Sequence, residues 1–418
     1  MKFSTKVLLV LLVVFQCTLQ KRMKSKKRRI SVGDISSYTY DIFNEFKTAY
    51  PEESKNPSDK YGEKVILFSR DASKEVIKNF IDHNIFKTFP KLNDIIDQIF
   101  FSYEKENSYH NAFHAADVVH TIYQFIETNK ICEKLECTNQ DKLDIMLAAA
   151  GHDYAHPGIG TDNEFRYALT NKLQDDSIRT LEEYHAEKVG ELLKSNENEF
   201  PEKYSSNFET HLQRIKNMII ATNNGYHESN TEFLKLINEN INNDEEKKCK
   251  FLGALLHAAD ISNPLKHYSL YFIWSIRVRK ELPKSRFDIC VKENMEKKKD
   301  DEEFDSIRNR VLKNCVDLKK NLLGIEPEDN LLKILKTYLY IPPHSRISQP
   351  IIKSFPPNIP KDVKNFYNGF IRGQRGFLGY VKRFYEELCS NVLTEINFYC
   401  NNYKKNLQIV TKSKEMDI

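Results

Sequence analysis

Long hydrophobic runs are missing from this chain. The longest, VLLVLLVVFQCTL near the N-terminus, is about thirteen residues, short of the ~20 that a membrane-spanning helix needs. Paired cysteines are missing as well. None of the eight cysteines forms a C-x-x-C motif, and their scatter argues for reduced, partly buried thiols over a disulfide framework. Although asparagine is abundant, the only Asn-x-Ser/Thr match is Asn56-Pro-Ser58, where proline disqualifies the acceptor. That counts against a secreted domain. Basic charge is thin: the net charge of +4 gathers near the start and does not recur as a stripe, so no nucleic-acid partner is expected. No internal repeat is visible, and no alternating strand pattern of useful length.

What is present is ordinary globular composition, 40% apolar and 29% charged over 418 residues, enough for a sizeable core. Apolar residues recur at i, i+3, i+4 and i+7 through 74–86, 92–103, 140–153, 180–194, 211–222, 250–261 and 268–282, the period of amphipathic helices. The expected fold is all-α, a multi-helix bundle with a metal site at its centre. A charge run, KENMEKKKDDEEFD, and a proline-rich passage, PPHSRISQPIIKSFPPNIP, mark 283–365 as an exposed insertion. Helical pattern returns over 361–407. The expected organisation is a leader at 1–33, a catalytic domain at 34–407 containing that insertion, and a tail at 408–418.

The leader joins the apolar run to KRMKSKKRR. It resembles a signal-peptide core, yet no small-x-small cleavage site follows. The basic cluster from Lys21 to Arg29 would hold the downstream chain in the cytosol. The expectation is a cytoplasmic catalytic domain that can touch an anionic membrane surface through Lys21–Arg29. A cleaved signal peptide and a mis-assigned start are the alternatives.

The stretch 109 YHNAFHAADVVH 120 sets His110 and His114 four apart, the spacing that shares one helix face. Such a pair can ligate a metal together, or divide the work between ligation and proton transfer. Three more stretches end apolar runs in histidine or aspartate: 148 AAAGHDYAHPGIG 160, 181 LEEYH 185 and 256 LHAADISNP 264. Each alone suits a core histidine or a turn-forming aspartate. Together they point to a shared metal. His114, His152, Asp153 and Asp260 supply two imidazoles and two carboxylates, a set suited to Zn, Fe, Mn or Mg. Asp153 has a second oxygen with which to bridge to a neighbouring ion. Two ions about 3.5–4 Å apart serve in-line displacement at phosphorus, so phosphoester hydrolysis is the expected chemistry.

The strings YHNAFHAADV, HDYAHPG, LEEYH and LHAADISNP resemble, in order, the signature of class I 3′,5′-cyclic nucleotide phosphodiesterases of the His-Asp phosphohydrolase superfamily. The resemblance implies hydrolysis of cyclic AMP or cyclic GMP to the 5′-monophosphate. It makes His110 the general acid, and His114, His152, Asp153 and Asp260 the ligands of a tightly held zinc. Asp153 would bridge to a magnesium or manganese, whose waters His156, Glu182 and Thr222 hold. Tyr109 and Asn263 would line the pocket. In 369 GFIRGQRGFLGY 380, Gln374 matches the purine-binding glutamine and Phe377 the stacking clamp. Asn263 leans the expected preference slightly toward cyclic AMP.

There are departures from the family pattern. Asn223 stands where aspartate is usual after Thr222, Asn224 where an apolar residue is common, and Tyr184 replaces the histidine before His185. These bear on second-metal affinity. Another His-Asp nucleotide phosphohydrolase, or a catalytically weak nucleotide-binding scaffold, are the alternatives that the same residues allow. Finally, 27 KRRISV 32 resembles a target of cyclic-AMP-dependent protein kinase, with Ser31 as the acceptor.

Overall fold

In the computed structural model the described residues are 89, 91–104, 107, 109–158, 180–201, 204, 206–266, 361–395 and 397–413, with seven positions between 271 and 281. All belong to one compact unit. Helices α1 (Leu92–Phe101), α2 (Ala112–Thr128), α3 (Ile131–Lys134), α4 (Asn139–Gly151), α5 (Leu181–Ser195), α6 (Phe208–Ile220), α7 (His227–Phe233) and α8 (Glu245–Asp260) are followed by α9 (Lys361–Tyr380), α10 (Lys382–Glu387) and α11 (Asn397–Lys412). The described residues contain no strand, so the domain is all-α.

Local chemistry sets where several helices begin. Thr138 accepts from the amide of Asp141 while the Asp141 carboxylate takes the Thr138 amide, a capping box that starts α4; Thr180 and Glu183 do the same for α5. Each box satisfies two of the amides that a helix start leaves orphaned. Asp244 caps α8, and Asn111 caps α2 by accepting from the amides of Phe113 and His114.

Helices α4, α6 and α8 pack against one another, with α2 on α4 and α8, and α5 on α6. Their shared core is aliphatic: Val118, Ile122, Met146, Leu147, Ile215, Met218, Leu252 and Leu255 are all essentially inaccessible. Two close approaches depend on glycine. A Cβ on Gly151 would meet Val189 at 2.7 Å, and one on Gly253 would meet the Ala221 side chain at 2.9 Å. The C-terminal end of α4 thus comes near α5, just before His152 and Asp153, and the middle of α8 comes near the end of α6.

Three expectations are changed. No helix among the described residues is long and apolar enough to cross a membrane. The membrane-leaning localisation is therefore withdrawn: the described helices lend it nothing, and its segment, 1–33, lies outside the described residues, as does Ser31. The cysteines are not all free, since Cys389 and Cys400, eleven residues apart in sequence, form a disulfide that no motif announces. His110 does not share a helix with His114, because α2 begins after it. The helical pattern at 74–86 and most of the insertion at 283–365 also lie outside the described residues.

Candidate metal centre and its comparisons

Side chains from three helix ends converge. His114 lies in the first turn of α2, His152 and Asp153 follow α4 directly, and Asp260 is the last residue of α8. Their ligand atoms all lie within 4.8 Å of one another. His114 Nε2 is 2.9 Å from Asp260 Oδ1 and 3.5 Å from Asp153 Oδ2. His152 Nε2 is 3.4 Å and 3.2 Å from the same two oxygens. The two Nε2 atoms are 3.3 Å apart.

This geometry fits a divalent cation. The carbonyl of Ala149 is 2.9 Å from His152 Nδ1, so the Nδ1 proton donates there and the Nε2 lone pair points into the cluster. Asp153 Oδ2 is buried with no hydrogen-bond donor. No lysine or arginine pairs with Asp153 or Asp260 among the described residues. One buried and one half-buried carboxylate gathered with two imidazoles form a donor set that suits a cation. Burial opposes ionisation of Asp153 and Asp260, but the neighbouring histidines overcome it and hold both carboxyls below their usual range, so both are anions.

A second group adjoins the first. Asp153, His156 and His185 bring ligand atoms together, with His185 Nε2 3.8 Å from Asp153 Oδ1. The chain reaches His156 through Ala155, a non-glycine residue at φ +54°, a conformation that L-residues adopt at some cost. His185 Nδ1 donates to the Tyr154 carbonyl at 2.7 Å, and its Nε2 is buried with no hydrogen-bond partner. Burial lowers the pKa of His185 to about 4, leaving it neutral and able to ligate. Glu182 stands outside these groups and accepts from Asn223 Nδ2 at 2.6 Å. The Thr222 hydroxyl donates to the Ile219 carbonyl at 2.7 Å.

His110 occupies a different environment. Asn111 adopts φ −136°, ψ 177°, an extended conformation that holds His110 outside α2. The His110 and His114 rings are 6.0 Å apart and nearly perpendicular. His110 Nδ1 contacts Glu281 Oε1. Glu281 Oε2 also accepts the amides of Tyr109 at 2.6 Å and His110 at 3.0 Å. The imidazole stacks on His156 with centroids 3.9 Å apart. Burial pushes the His110 pKa down, but Asp153 and Glu281 outweigh it, and the net shift is upward. Asn107 ties the arrangement together by donating to the carbonyls of His110 at 2.9 Å and His156 at 2.8 Å.

The remaining expected pocket residues flank the cluster. Tyr109 packs its ring 4.5 Å from that of His114 and accepts at its hydroxyl from Asn263 Nδ2 at 2.8 Å. Gln374 is buried on α9 and donates to Ser275 Oγ at 3.4 Å. Phe377, one turn later, is half-buried against the core. Sequence reasoning missed Glu281, Asn107 and His185 as parts of this site. His185 carried a signal, a buried-face histidine in LEEYH, whereas Glu281 lies 171 residues from His110 and carried none.

Residues 109–305 match the model of the 3′,5′-cyclic nucleotide phosphodiesterase family. The 3′,5′-cyclic-nucleotide phosphodiesterase regA of Dictyostelium discoideum is 29% identical over 212 residues, 50% of this chain and 26% of that protein. The dual specificity calcium/calmodulin-dependent 3′,5′-cyclic nucleotide phosphodiesterase 1B of Bos taurus is 27% identical over 255 residues, 59% of this chain and 43% of that protein. The chain thus spans less than half the length of either relative. Among solved structures, the phosphodiesterase domain of the RhoPDE fusion protein from the choanoflagellate Salpingoeca rosetta shares the fold, with a TM-score of 0.53 and 20% identity over 85% of this chain and 95% of that one. The matched segment contains every side chain of the converging cluster as well as Glu281, and on that ground residues 109–305 belong to the class I 3′,5′-cyclic nucleotide phosphodiesterase family.

Proposed function

We propose that this protein hydrolyses 3′,5′-cyclic nucleotides to 5′-monophosphates, with cyclic AMP favoured. The observation that carries the reading is the convergence of His114, His152, Asp153 and Asp260 beside a separately held His110. The four ligands would hold zinc, and Asp153 with His156 and His185 would face magnesium or manganese. Bound there, divalent ions supply a Lewis acid and an activated water.

The chain's own groups do the rest. His110, with Nδ1 engaged by Glu281, keeps Nε2 to carry a proton to the departing O3′ of the ribose. Glu281 fixes the tautomer and ring direction, as a carboxylate does for a catalytic histidine. Phe377 offers a face on which a purine stacks.

Two buried amides support the preference for cyclic AMP. The Ser275 hydroxyl donates to the Tyr271 carbonyl at 2.7 Å, so toward Gln374 it acts as acceptor and takes the amide NH₂. Gln374 Oε1 then remains a buried acceptor without a partner. Asn263 gives its NH₂ to Tyr109, and its Oδ1 is likewise an unpartnered acceptor. Acceptors suit the exocyclic amine of adenine better than the carbonyl at the same place in guanine.

The test is turnover of cyclic AMP, cyclic GMP and a noncyclic nucleotide by the metal-loaded protein. Preference for cyclic AMP is expected, and the Ser275→Ala variant should narrow the ratio of kcat/KM values about fivefold, as loss of one neutral hydrogen bond would. Activity on the noncyclic nucleotide alone would reassign the substrate, and binding without turnover would make the protein a scaffold.

A further inference from the structure

The corner between α3 and α4 holds two cysteines side by side. Glu136 sits at φ +48°, the left-handed conformation that ends many helices. The Cys137 amide donates to the Cys132 carbonyl at 2.9 Å, and the Glu136 amide to the Glu133 carbonyl at 3.3 Å. This pair of bonds is a Schellman turn, which brings the side chain three residues before the cap against the one two residues beyond it. Ordinarily that contact is apolar. Here both members are thiols.

Both cysteines are half-buried and lie at the edge of the core. A 2.9 Å bond between their own backbones keeps the Cα atoms within the ~4.4–6.8 Å that a disulfide spans. The neighbouring Cys137 side chain, with burial behind it, raises the Cys132 pKa. The corner is remote from the metal centre: α4 starts at Asn139 and runs ~20 Å before His152.

We propose that Cys132 and Cys137 form a redox-modification site, which low-molecular-weight disulfides such as oxidised glutathione convert to an intramolecular disulfide. The thiolate of one cysteine attacks one sulfur of the small disulfide and expels one thiolate, giving a mixed disulfide. The other cysteine then loses its proton, and its sulfur attacks the protein sulfur of the mixed disulfide and expels the second thiolate. Two protein S–H bonds become one S–S bond, the small disulfide is reduced to two thiols, and the two protons end on those leaving groups.

The experiment incubates the full chain with oxidised glutathione, quenches in acid, alkylates free thiols and identifies the peptides by mass spectrometry. The expected product is a peptide holding both cysteines unlabelled, lighter by two hydrogens and restored by dithiothreitol. The Cys132→Ser and Cys137→Ser variants should each stop at a glutathione adduct on the remaining cysteine. Full alkylation of both thiols in the treated wild-type protein would overturn the site, as would glutathione adducts on both without an internal disulfide.

Discussion

Helices α4 and α8 each carry buried charge at both ends, and the two ends solve the same electrostatic problem differently. At the N-terminal end of α4, Asp141 and Asp144 meet Arg214 from α6, whose Nε is 3.1 Å from Asp144 and whose other nitrogens contact Asp141 and Glu245. Lys248 on α8 adds a contact to Glu245 at 3.0 Å, and His211 bonds to Asp144 at 3.0 Å. The fold supplies the countercharge itself. At the other end, the ion-pair partners of Asp153 and Asp260 among the described residues are all imidazoles. Buried charge with its own lysine or arginine is architecture, and buried charge lacking one is a request for a ligand.

The sharpest way to break this contrast is at Asp260. Asp260→Ala should lose bound zinc and abolish turnover, and double variants with His152 should add no further loss, because the ligands stabilise one shared set of bonds. Full zinc in that variant by elemental analysis would remove Asp260 from the centre.

His110 tests the division between ligand and proton donor. His110→Asn should keep its zinc while losing ~10²–10⁴ in rate on cyclic AMP, the usual worth of general acid catalysis. On a phosphodiester with a nitrophenolate leaving group, which needs no proton, most of that rate should return. His114→Asn should fail on both substrates. Equal losses for the two variants on the activated ester would show that His110 ligates or merely packs.

The opposite end should respond in stability rather than in chemistry. Arg214→Ala leaves two buried carboxylates without their cation, so it should destabilise the fold by about 3–5 kcal/mol. Its activity per folded molecule should persist, read by pairing chemical denaturation with kcat. A large fall in kcat with unchanged stability would erase the distinction between the two clusters.

A smaller effect lies in pH. Burial lowers the pKa of His120 and of His257 to about 4, against ~6.5 in the unfolded chain. As pH falls from ~6.5 to ~4 the unfolded state takes up protons that the folded state refuses. Stability present above ~6.5 is therefore lost, up to ~3 kcal/mol for each histidine. His120→Gln should remove its share of the acid sensitivity, seen as a flatter denaturation midpoint across that range.

Much of this was legible without coordinates. Apolar period located α1, α4, α5, α6 and α8 to within a few residues, since burial of one helix face leaves a trace in every turn. Grouping His114, His152, Asp153 and Asp260 was also possible, since each ends or begins an apolar helix with a group too polar to be buried alone. The capping pairs Thr138 with Asp141 and Thr180 with Glu183 are local chemistry within one turn.

Tertiary structure decided what local spacing could not. The four-residue interval suggested that His110 and His114 share a helix face, but the extended Asn111 between them ends that helix and turns His110 toward Glu281. That partner comes from a distant segment and no periodicity announces it. The pairing of Cys389 with Cys400 likewise arises where α11 folds back on the segment after α10. Helical period records which face of a segment is buried; it does not record which other segment buries it, because that depends on packing between residues far apart in the chain.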